Sequence, residues 1–126
     1  MQELCAKMKE YLKMTDPLPY EAFVEYYQSV LDYLQKKYQD MTQDEMVEAK
    51  TICNLLNANA VERAAKKDAN YKRFRKMAEK SAFWQDAIEV NLLKQGFTKK
   101  SLEEKEKEIW QTVFEPKEQN QEEKLG

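Results

Sequence analysis

Residues 70–84 read NYKRFRKMAEKSAFW, and they form the densest grouping of side chains in the chain with an evident chemical use. Lys72, Arg73, Arg75 and Lys76 fall within five residues, with Phe74 inside the cluster and Tyr71, Phe83 and Trp84 around it. Such a grouping is suited to binding an anion. The anion is either the phosphate of a nucleic acid, with Tyr71 stacking on a base, or the carboxylates of an acidic protein surface. The segment 63–80 holds eight cations (Arg63, Lys66, Lys67, Lys72, Arg73, Arg75, Lys76, Lys80) against Asp68 and Glu79, in a chain whose net charge is −2. A mildly acidic whole argues against a protein that coats DNA, and a local basic segment keeps a charged partner in view. The plain alternative is the solvated wall of a helix whose other side is core.

Other chemistry is excluded by residue type. The chain has no histidine. That removes a phosphotransfer histidine, Ser–His and Cys–His nucleophiles and any imidazole metal ligand. The one internal glycine, Gly96, forms no phosphate-binding loop, and the acidic stretch DMTQDEMVE lacks the glycine that a calcium loop requires. A di-iron bundle needs Glu-x-x-His motifs, which cannot occur. The many carboxylates sit among lysines at helical spacing, as Glu103 and Lys107 do, which is the pattern of a solvated helix face rather than an acid–base pair. Cys5 and Cys53 are too few for a disulfide framework or a zinc site and read as reduced, buried thiols. A non-catalytic protein without metal, cofactor or small-molecule substrate is expected. The start, MQELCAKMKEYLK, is charged throughout, no apolar run exceeds three residues, and a cytoplasmic chain without a membrane span follows as the expectation.

The elements that position the cluster are helices. Between Tyr20 and Glu115 there is no proline and a single glycine, too little turn chemistry for a sheet, and Ala, Glu, Lys, Leu and Arg make up nearly half of the 126 residues. An all-α bundle of four or five mostly antiparallel helices is predicted, as one domain over 1–115 with a disordered charged tail over 116–126. The first helix covers about 2–14 and ends before TDPLP, with a proline opening the next. The second, about 19–39, buries Phe23, Tyr27, Val30, Leu34 and Tyr38, and Tyr26 and Tyr33 stand together on one edge of that stripe as core rim or as a partner-binding pair. Thr42 and Glu45 form a capping box, with Met41 and Met46 as its staple, and Met46, Ala49, Cys53, Leu56 and Ala60 carry the third helix.

Phase continuity would allow one rod over 43–95, about 80 Å long at 1.5 Å per residue and too long for a compact monomer. A break is therefore predicted near KKDAN, with Asp68 or Asn70 as cap, the alternative being one long dimerising helix. Gly96 and Phe97 should close the fourth helix on Leu92 in a Schellman arrangement. Ser101 and Glu104 suggest a second capping box opening a fifth helix over about 102–115. Leu102, Ile109 and Val113 are its expected core, with Trp110 or Phe114.

On the fourth helix Phe74, Met77 and Ala78 point one way, and Lys66, Lys72, Arg73, Lys76 and Lys80 occupy an opposing arc. From Ala82 to Leu93 the helix is apolar nearly all round: Ile88 and Leu92 follow the core stripe, and Phe83 and Val90 face away from it. Either the chain itself or another chain covers that second face. The leading expectation is a small adaptor, regulator or inhibitor that binds another protein, or a second copy of itself, through Phe83, Trp84 and Val90 with Lys76 and Lys80 at the rim. The alternative is a nucleic-acid-binding regulator using Lys66, Lys72, Arg73, Lys76 and Lys80.

Overall fold

The periodicities resolve into five α-helices, with no strand among the described residues: α1 (Gln2–Lys13), α2 (Tyr20–Lys37), α3 (Gln43–Ala65), α4 (Tyr71–Lys94) and α5 (Lys99–Ile109). The computed structural model describes residues 1–116. All but the first residue of the tail expected to be disordered lies outside them. None of these helices is long and apolar enough to cross a membrane.

Helix α3 is central. Its buried residues Met46, Val47, Ala49, Ile52, Cys53, Leu56 and Ala60 spread over more than half its circumference, so it must be covered from several sides. Helix α4 doubles back along it. Gln43 bonds Gln95 at one end (3.0 Å), and Asn57 donates to the Ala78 carbonyl further along (2.8 Å). The rod is therefore broken where expected, and the break is sharp: Lys67 takes a left-handed backbone (φ 54°), and the Asp68 carboxylate accepts the Asn70 amide.

Helix α2 lies beside both. Tyr20 and Phe23 meet the Phe74 ring at one end, and at the other the Tyr38 hydroxyl accepts from Asn91 (2.8 Å), so α2 runs with α4 and against α3. Helix α5 crosses back along α3, tied by Lys105–Asp44 (3.0 Å) and by Lys50, whose ammonium sits between Glu106 (2.5 Å) and Glu89 (3.8 Å). Helix α1 closes the remaining side, with Cys5 near Glu48 and the Leu4 carbonyl accepting the Tyr26 hydroxyl (2.7 Å). Consecutive helices from α2 to α5 are thus antiparallel, whereas α1 and α5 run in the sense of α3.

The ends follow local chemistry, with three departures from expectation. The Thr42–Glu45 box is complete, and Met41 and Met46 are both buried beside it. Gly96 takes φ 114°, with its amide on the Leu93 carbonyl and the Phe97 amide on Leu92, which is the Schellman pattern.

The first departure is at α2, where Pro19 occupies the N-cap rather than the first helical position. The second is at α5, which is opened by Thr98, not Ser101. The Thr98 hydroxyl accepts the Ser101 amide (3.0 Å), and the Ser101 hydroxyl accepts the Thr98 amide (2.9 Å), so a serine closes a box for which a Glu104 partner had been expected. The third lies at the other end of α5, which widens into a π turn over Trp110–Phe114, closed by the Glu115 amide on the Trp110 carbonyl (2.7 Å). The wider turn shifts the phase, so Phe114 is fully buried while Val113 and Trp110 pack only partly against the core.

Candidate docking face on helix α4

The inner side of α4 is fixed by Phe74, Met77, Ala78, Ser81, Ile88 and Leu92, all buried. Ser81, the one buried polar side chain among the described residues, satisfies itself on the Met77 carbonyl (2.8 Å). These contacts set the rotation of the helix and so determine what faces out. At 100° per residue, Lys72, Lys76, Phe83, Ala87, Val90 and Lys94 fall within about 60° of one line, opposite the core. Phe83 is 63% exposed and Val90 50%, whereas Ile88 and Leu92 are completely covered. No other helix of the described chain covers this outer line.

Around Phe83 and Val90 the surface dips into a shallow trough lined by Tyr38, Phe83, Asp86, Ala87, Val90, Asn91 and Lys94. Its floor is held rigidly. Asn91 fixes the Tyr38 hydroxyl, the Tyr38 ring stands edge-on to Trp84 (5.4 Å), and Trp84 stands edge-on to Phe83 (5.8 Å). Trp84 is therefore half-buried. It packs against two of the lining rings without lining the trough itself, and presents less of itself than Phe83 does.

Toward the N-terminus of α4 the same line becomes basic. Lys72 and Lys76 lie on it and Lys80 at its edge, whereas Lys66, expected on the same arc, caps the end of α3 before the break. All four are exposed, and among the described residues none lies within ion-pair distance of a carboxylate. Arg73 is also exposed, but its guanidinium donates to the Tyr20 hydroxyl (2.8 Å). Arg63, counted in the basic segment by sequence, turns inward. It lies over the Phe23 ring (4.4 Å) and donates to the Leu18 carbonyl (2.7 Å), pinning the α1–α2 linker.

The two tyrosines named beside this face do not join it. Tyr26 is buried, bonded to Leu4 and edge-on to Tyr11 (5.2 Å), so a partner could reach it only by displacing α1. Burial pushes its hydroxyl well above the ordinary tyrosine range. Tyr33 is half-buried and packed against the core. The structure brings together Phe83, Trp84, Val90, Lys76 and Lys80 and leaves Tyr26 and Tyr33 outside the set.

Sequence reading missed Tyr38, Ala87 and Lys94. Ala87 and Lys94 were legible as the continuation of the Lys76–Phe83–Val90 line at helical spacing. Tyr38 belongs to another helix, and only the packing of α2 on α4 places it there.

No protein-family model, curated protein or solved structure matches the chain. What the face can do follows from its shape and charge: it offers a short apolar anchor site continuous with a basic strip.

Proposed function

We propose that this is a small, non-catalytic, cytosolic protein that acts by binding another protein through the outer face of α4. The observation that carries the reading is the exposure of Phe83 and Val90 on one line with Lys72 and Lys76, with Lys80 at its edge. Fully burying a phenylalanine is worth roughly 1.5–3 kcal/mol, and the fold leaves most of that unused at Phe83. Aromatic anchors over a firm floor with a charged rim are the anatomy of an interface centre. A cytosolic setting is supported by Cys5 and Cys53, which stay free and buried, each with its thiol pushed up to about 12 by burial.

Nucleic acid is the weaker reading, because phosphates engage the lysines and leave the apolar half of the face in water. The test is the paired substitution Phe83→Asp, Val90→Asp in the full chain. The variant should keep its circular-dichroism spectrum and lose association with peptides selected on the native protein. A variant that keeps that association removes the reading.

A further inference from the structure

The first two turns of α4 carry the densest set of cations in the fold, on a start that, like that of α2, has no side-chain cap and, like that of α5, no acidic residue. Helices α3 and α5 open on complete capping boxes, and α3 carries Asp44 and Glu45 in its first turn. Helix α4 has no acidic residue in its first turn, and its N-cap, Asn70, makes no side-chain cap bond. In their place stand Lys72, Arg73, Arg75 and Lys76, all exposed, at the positive pole of the helix dipole. The Asp68 carboxylate serves the Asn70 amide at this end, but Lys72, Lys76 and Lys80 have no ion-pair partner among the described residues, so a group that complements them comes from outside. That complement is negative charge. It is wanted on the same outer line that carries the apolar trough, about 10 Å from Phe83 at Lys76 and about 16 Å at Lys72.

Resting on the reading that this face docks a protein, we propose that its occupant is an acidic amphipathic helix of another protein. Two or three apolar residues at i, i+3 or i+4, i+7 spacing fill the trough between Phe83 and Val90. A run of Asp or Glu two to three turns further along lies over Lys80, Lys76 and Lys72 and neutralises the start of α4. A second copy of this chain does not meet that requirement. In parallel register it sets lysine on lysine. In antiparallel register centred between Phe83 and Val90, its α4 ends at Lys94, short of Lys76 and Lys72, and leaves them unmatched. Nucleic acid neutralises the lysines and ignores the trough.

The test is selection of a displayed library of random 16-residue peptides on the full chain, followed by affinities for the native protein and two variants. Lys72→Glu with Lys76→Glu places carboxylates where the helix dipole favours them, so that variant folds. Phe83→Asp alters an exposed position. Enriched peptides should carry the apolar spacing with an excess of Asp and Glu toward one end. Their affinity should fall at least tenfold on each variant, and bound peptide should slow amide exchange in the first turn of α4, residues 71–75.

Peptides that depend on Phe83 but show no acidic excess and ignore the lysine reversals overturn the acidic occupant and leave the docking face standing. Failure to select any Phe83-dependent peptide overturns both. A single-stranded DNA oligonucleotide retained at about 50 mM salt, released by the lysine reversals and indifferent to Phe83→Asp, overturns both in favour of nucleic acid.

Discussion

Lys67 sits in the left-handed region at φ 54°, directly after α3, where its amide bonds the Ala64 carbonyl (3.1 Å). A side chain there costs on the order of 1 kcal/mol that glycine avoids. Lys67→Gly is therefore expected to raise stability by about 0.5–1 kcal/mol, read as a higher urea midpoint with an unchanged slope. Glu48 stores strain of another kind. Burial raises its carboxyl above the ordinary 4.5, outweighing the lowering effect of the bond from Cys5. The folded chain thus binds the Glu48 proton more tightly than the unfolded chain does, so the Glu48 contribution to stability declines as pH rises from 4.5 through the raised value. Glu48→Gln should stabilise modestly, by less than about 1 kcal/mol, because the carboxyl is only partly buried and is still screened by solvent. The gain should appear at neutral pH and fade below about pH 4 in unfolding curves taken at both. At this scale the sequence was informative about type and silent about cover. Tyr26 and Arg63 look like surface groups until α1 and the Phe23–Phe74 pair are in place around them.

At the scale of elements, the corrected start of α5 gives a direct comparison. Thr98→Ala removes a reciprocal cap and should cost about 1 kcal/mol, whereas Glu104→Ala, outside the box, should change thermal stability by less than about 0.5 kcal/mol. Equal effects would restore the start near residue 102. Helix starts and stops were readable where their signals are strong, as at Thr42–Glu45 and Gly96–Phe97. They were misread where a serine replaced the acidic partner of the box. The π turn had no sequence signal, because its phase shift is set by the packing of Trp110–Phe114 against α1 rather than by residue type. The α3–α4 break was favoured by length, since a continuous rod would outrun a compact monomer, but residue phase alone fitted one long dimerising helix equally well.

For the whole molecule, the fold divides its charges unevenly. Lys50, Glu89, Glu106, Lys99, Lys105 and Asp44 pair where α3, α4 and α5 meet, so this part of the surface is spent on holding helices together. The outer line of α4 has no such duty, and its cations and apolar side chains are both left open. The sequence carried this asymmetry as two phases on one helix, Ile88 and Leu92 against Phe83 and Val90, but could not say whether the chain would cover the second phase. Urea unfolding of the Phe83→Asp, Val90→Asp variant tests that point most directly. If the outer face serves a partner, the variant's stability should stay within about 1 kcal/mol of the native chain. A loss of about 3 kcal/mol or more, the cost of disrupting a core, would place both side chains inside the fold and contradict the account.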